Sequence, residues 1–373
     1  MQNTGLLHYN PTDANIILPN ENAEDYVEKL AKLNAAFAEV LIEGCNATSI
    51  NHVYGGGNAA AVPATKVTVL GTYIINTLYG GGNGSGYMDP PTNSIENPGA
   101  NVGIYKVGNT PTNYGTGKAE TKLYGGYINN VYGGSNTKGD VRGGTDVRTK
   151  EKGESVPTGD SCNKLEVGKI YGAGSHADVN GDVNIILECM PEDYVDAVYG
   201  GAEEATITGN VTLTVTGGKF GRVFGGNNKG GDIRGTITVW AIEDGCKPLE
   251  IGELYGGGNE APYSKYGCEK DGNNWIPNTS ETEGAVDYTA GKPTPYAIEV
   301  LVESCTSIGK VFGGGNKAVV IGDTHVEINM FRGRTDDTPI NEFRNLGKIG
   351  QVFGGGNLAK VTGNTTIDIG TDA

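Results

Sequence analysis

The sequence predicts an all-β solenoid, a single-stranded parallel β-helix of about nine coils with three short strands per coil. Three observations carry this. An aliphatic–aromatic–Gly–Gly/Ala motif recurs nine times, its aromatic at Tyr54, Tyr79, Tyr132, Tyr171, Tyr199, Phe224, Tyr255, Phe312 and Phe353. The steps between copies are 25, 53, 39, 28, 25, 31, 57 and 41 residues, so the shortest step occurs twice and the longer ones read as the same unit with loops inserted. Between copies the residues alternate apolar and polar with period two and are broken by glycine, and no helical period intervenes.

The uninterrupted copy "VYGGAEEATITGNVTLTVTGGKFGR" shows the unit: "VYGG", then "ATIT", a Gly-Asn turn, "VTLTV", and a Gly-Gly turn into the next copy. One such coil cannot bury its own inward side chains. Stacked coils bury columns of Val, Ile and Leu and pair their backbones about 4.8 Å apart. Glycine is abundant, at 62 residues with no Gly-X-Y period, which excludes collagen. Corners that need positive φ or close backbone approach account for it. A nine-bladed propeller needs about 40 residues per blade, more than the 25-residue steps provide.

Taken in order, residues 1–38 form an N-terminal segment and residues 39–373 the β-helix. Residues 22–36 are expected to be a capping helix, with Asn22 as N-cap, Asp25 at N3, and Tyr26, Val27, Leu30 and Leu33 as its apolar stripe. It would cover the exposed edge of the first coil, which opens with "EVLIEGC" at 39–45. Long insertions are expected near 84–120 and 260–296, after the Gly-Gly-Gly-Asn turn, and near 148–165 and 330–347, after the third strand. "TTIDIGTDA" ends the sequence within a coil, so further domains or a partner are expected beyond it.

A formal net charge of −16 argues against nucleic acid and anionic membrane as partners. No apolar run is long enough for a transmembrane helix, and "QNTGLLHYN" after Met1 reads as a signal peptide absent or already removed. The six cysteines show no zinc spacing, so neither metal nor cofactor is expected. Cys45, Cys189, Cys246 and Cys305 share one corner, and Cys246 and Cys305 fall in neighbouring coils, open to a disulfide in an oxidising compartment. Cys162 and Cys268 lie in insertions.

Candidate binding residues are the aromatics of the two insertions after the glycine turn: Tyr87, Tyr105 and Tyr114 in one, Tyr263, Tyr266, Trp275, Tyr288 and Tyr296 in the other. Rings beside Asn and Asp suit the CH faces and hydroxyl edges of carbohydrate; the competing reading is that they pin long loops to the coils. The nine motif rings are expected to point outward as a stack, either as a binding stripe or as structural support. Asn58, Asn83, Asn136, Asn228, Asn259, Asn316 and Asn357 share one turn position and are expected to form an amide ladder. Asp140, Asp178, Asp182, Asp232 and Asp323 recur beside glycine, where Asp is an ordinary turn former, with Arg142, Arg222 and Arg234 near in sequence. The four histidines are scattered, and His325 alternates with apolar residues as a solvent-facing strand residue. No catalytic residue stands out.

The pattern "IGxVFGGGNxAxVxGxTxVxI" at 308–328 and 349–369 resembles secreted or surface β-helix proteins of gut Bacteroidales and related anaerobes. The resemblance covers the chain from about residue 39, and implies a right-handed winding and a place on the cell exterior. It implies no activity, and the motifs of pectate lyase-like enzymes are not found. The expected function is therefore a non-catalytic extracellular protein, adhesin-like or binding polysaccharide or host glycan. The alternatives are a β-helix polysaccharide lyase or glycoside hydrolase, and a structural stalk.

Overall fold

The structure, a computed structural model, describes residues 24–44, 47–84, 95–96, 100–106, 112–155, 164–190, 194–280, 285–329 and 346–370. Parallel strands dominate. A first sheet of ten strands runs from Ala38–Glu43 to Thr365–Ile369, each strand pairing in parallel with the next in chain order. A second sheet of nine runs from Ser49–Tyr54 to Lys348–Phe353, one strand for each motif copy. A third, narrower ladder is made of bridges linking Val62, Val102, Val141, Val179, Ile207 and Ile233, then of the short strands Tyr263–Ser264, Val320–Ile321 and Val361–Thr362. The chain visits the three in rotation. Their inward side chains meet in one continuous core, giving an all-β, solenoid-like stack.

Period-two alternation sets the core. In the first sheet Val147, Ile185, Leu213, Val239, Val300 and Val326 are in register and fully buried. The column ends at Ile367, which is 41% exposed because no strand follows it in the sheet. The second-sheet column of Leu78, Val131, Ile170, Val198, Val223, Leu254 and Val311 is likewise buried. The first glycine of each motif is there for backbone proximity. A Cβ on Gly225 would lie 2.3 Å from the carbonyl oxygen of Gly256, and one on Gly133 2.1 Å from that of Gly172.

Three expectations change. The helix, α1, spans Tyr26–Ala35 with Asp25 at the N-cap and no side-chain cap bond, and Val27 is 76% exposed. Its buried side is Leu33 with Leu30, packed on Ile104, Tyr114 and Ala61, and Asn34 accepts the Gly115 N–H at 3.0 Å. Asn22 lies outside the described residues. The segments read as single insertions at 84–120 and 260–296 each contain a third-ladder element, Val102 in one and Tyr263–Ser264 in the other. A one- or two-residue bridge is too short to show a period. Cys246 bonds Cys189, not Cys305, with Cα atoms 5.3 Å apart. Cys305 is buried and donates to the Leu346 carbonyl. Cys268 is a buried free thiol, and Cys45 and Cys162 fall outside the described residues.

Candidate functional site

The motif rings lie at the second-sheet end of the glycine turns. Consecutive rings stack from Tyr54 to Phe353 with centroids 4.5–5.1 Å apart, because parallel register brings each ring over the last. The stack is not an exposed stripe. Tyr79, Tyr132, Tyr171, Tyr199, Phe224, Tyr255 and Phe312 are all buried, and only the terminal Phe353 is well exposed, at 40%.

The asparagines bond beside it in two runs. Asn136 donates to Asn83 and Asn83 to Asn58; Asn357, Asn316, Asn259 and Asn228 form the second run, with steps of 2.8–3.0 Å. Between the runs the same turn position holds Ser175 and Glu203. Sequence reading passed over Glu203 because it breaks the Asn pattern, and that break is the signal. Its carboxylate accepts Tyr132 Oη at 2.7 Å, Ser175 Oγ at 3.1 Å and Lys229 Nζ at 2.6 Å. Burial alone would raise its pKa, but the hydrogen bonds from Lys229, Tyr132 and Ser175 outweigh burial and lower it. The neighbouring Glu204 takes Lys270 at 2.7 Å and the Trp275 indole N–H at 3.3 Å.

A row of carboxylates occupies the residues just before the third ladder. Asn101, Asp140, Asp178, Thr206 and Asp232 precede Val102, Val141, Val179, Ile207 and Ile233. These side chains hold the next repeat: Asn101 Oδ1 accepts the Asp140 N–H, Asp178 Oδ1 that of Thr206, and Asp232 Oδ1 that of Cys268, each at 2.8 Å. Asp140 also takes Asn180 Nδ2 at 3.2 Å, with Arg142 3.9 Å away, and Asp232 takes Arg234 at 3.1 Å. Burial pushes both Asp178 and Asp232 up; Asp178 is raised further by Asp140 and Asp232. Asp182 and Asp323 do the same structural work at another corner, accepting the N–H of Asn210 and Asn364.

The row lies between the two ring-bearing segments. A Cβ on Gly103 would sit 3.0 Å from Arg142 Cβ, so the first segment abuts Arg142. The second is anchored at Asp232 through Cys268, and its Tyr288 ring lies 5.6 Å from the Arg234 guanidinium. The structure thus brings Asp140, Asp178, Asp232, Arg142 and Arg234 together, whereas Arg222 lies over the Phe224 ring in the second sheet.

Comparison with known protein families, curated proteins and solved structures finds no match. The reading therefore rests on the geometry alone. Among the described residues no group of three His, Cys, Asp or Glu could hold a metal ion, and no helix is long and apolar enough to cross a membrane.

The eight candidate rings separate. Tyr87 and the Tyr105 side chain lie outside the described residues. Tyr114 is fully buried under α1, and Tyr263 is a core residue whose hydroxyl donates to the Gly235 carbonyl at 2.8 Å. Neither presents a face to solvent. Tyr263 stands in a Val/Ile column, which a loop reading could not see. Tyr266, Trp275, Tyr288 and Tyr296 are half-buried and already engaged, with Lys265, Lys270, Arg234 and His325 respectively. His325 is also buried, not solvent-facing. The Tyr296 ring stacks on it at 4.4 Å, and its two ring nitrogens face Glu299 at 3.4 Å and Asp368 at 2.9 Å.

Proposed function

We propose that the chain winds as a right-handed parallel β-helix of three short strands per coil. It acts on the bacterial cell exterior as a non-catalytic, adhesin-like or glycan-binding protein. The observation that carries the non-catalytic reading is the commitment of the carboxylate row. Asp140, Asp178 and Asp232 each accept protein hydrogen bonds, two of them from the backbone of the next repeat, so moving them would cost the stack its spacing. The Cys189–Cys246 disulfide supports an oxidising compartment. A second reading has one observation in its favour. Asp178, half-buried, and Asp232, buried, both have raised pKa and lie two strand spacings or about 10 Å apart along the row, a separation of the order used by inverting glycosidases.

A glycan array run on the purified chain, with the same polysaccharides assayed for reducing-end and unsaturated products, separates the two. Binding without product is expected. Product release abolished by Asp178→Asn would overturn the non-catalytic reading. Neither binding nor product would leave the stalk.

A further inference from the structure

We propose that the outer face of the second sheet is a docking track for an extended, neutral polysaccharide, with Tyr127 and Tyr194 as ring platforms. The proposal deepens the glycan-binding reading and rests on it, but it moves the site away from the insertion loops. Among the described residues the tyrosines with strongly exposed rings are Tyr73, Tyr127 and Tyr194, at 57%, 47% and 58%. Tyr127 and Tyr194 lie at the start of second-sheet strands, and Tyr73 immediately precedes one. Tyr127 is in register with Glu166, and the register of Lys169–Tyr171 with Ala197–Tyr199, continued back along the two strands, sets Glu166 opposite Tyr194. The two rings thus share one outward column, two strand spacings or about 10 Å apart.

Beyond Tyr194 the face opens into a trough of about 500 Å³. Gly252, Gly309 and Gly350 floor it, and Glu250, Ser307 and Lys348 form one side. Tyr194 closes its upstream end, lying so near Gly221 that a Cβ there would meet the tyrosine hydroxyl. Upstream, the floor column is filled by Asn51, Asn76 and Asn129, whose amides bond in sequence at 2.8 and 3.0 Å. The track therefore runs along the stack from amides, past two rings, into a slot with bare backbone below.

The chemistry selects the occupant. The trough lies on a sheet face whose internal strands are paired on both sides, so it offers no free edge for strand addition by a peptide. Two cations of the face are paired, Lys219 with Glu250 at 3.4 Å and Lys310 with Glu253 at 3.0 Å, and the chain's charge of −16 opposes a polyanion. Flat rings suit the CH face of a pyranose, and amides and hydroxyls suit its edge. An extended pyranose chain advances by roughly one strand spacing per sugar, about 5 Å, so it stays in step with the repeats and the two rings lie about two sugars apart.

Affinity electrophoresis in gels carrying soluble mixed-linkage glucan, mannan, xylan or polygalacturonate tests this. The 373-residue chain is run beside Tyr127→Ala/Tyr194→Ala and Trp275→Ala/Tyr288→Ala. The expected result is retardation by at least one neutral polymer, weakened about tenfold or more in the Tyr127/Tyr194 variant and unchanged in the other. Both tyrosines are exposed, so their removal leaves the core intact, and circular dichroism checks that it does. Loss of binding only in the Trp275/Tyr288 variant would overturn the track while leaving glycan binding in place. Retardation by polygalacturonate alone, or by no polymer, would overturn the proposal; the latter removes the glycan reading with it.

Discussion

Two acids a few residues apart in the stack respond to pH in opposite senses. Asp178 is held above its ordinary range chiefly by burial, so the folded protein keeps that proton more tightly than the unfolded chain does. Its contribution to stability is present at acid pH and is lost as pH rises through the raised value. Glu203 is held below its range by Lys229, Tyr132 and Ser175 against the effect of burial. Its contribution is present at neutral pH and is lost as pH falls through the lowered value. Asn101 already shows that an amide can fill the Asp178 role, because its Oδ1 accepts the same kind of backbone N–H. Asp178→Asn is therefore expected to raise stability at neutral pH, on the order of 1 kcal/mol, and to steepen the fall of the thermal midpoint as pH drops from neutral into the acid range, because it removes a contribution that grows as pH falls. Scans across that range check it. An unchanged profile would mean that Asp178 is solvated.

At the scale of the strand and its turn, the second glycine of the motif gives a controlled comparison. A Cβ on Gly226 would come 2.7 Å from the backbone nitrogen of Gly258, whereas one on Gly355, the same position in the last repeat, meets nothing within 4 Å. Gly226→Ala is expected to cost about 2 kcal/mol or more in urea unfolding, and Gly355→Ala to be near neutral. Equal effects would mean that chain entropy, not crowding, explains the glycine. The strands were legible because inward Val, Ile and Leu recur with period two, and the motif rings marked every strand of the second sheet. The third ladder was less legible. Val102 sits in it as an isolated bridging residue and Tyr263 in a two-residue strand, both too short to show a period.

For the whole molecule, the stack is a row of nearest-neighbour contacts, tied across its middle by the covalent loop that Cys189 and Cys246 close. Cys189 and Cys246 are 57 residues apart, and closing such a loop stabilises by about 4 kcal/mol in the chain-entropy account. Cys189→Ser/Cys246→Ser is expected to lower the thermal midpoint, and dithiothreitol to have the same effect on the parent chain and none on the variant. A midpoint that ignores both would show that the thiols are not bonded in solution.

The sequence by itself determined the repeat, its period, the stacking of the motif rings and the asparagine ladder. Each follows from one residue type returning at one place in a parallel register. Only the tertiary structure decided which polar groups meet. Glu203 faces Tyr132 across 71 residues of sequence, and His325 lies between Glu299 and Asp368. It also decided which rings are exposed. Tyr114 and Tyr263, read as loop residues, are buried, while Tyr127 and Tyr194, which no sequence pattern singles out, stand in solvent. Exposure depends on what lies over a side chain, and in this stack the covering atoms come from helix α1, from neighbouring repeats and from inserted segments, none of them adjacent in sequence.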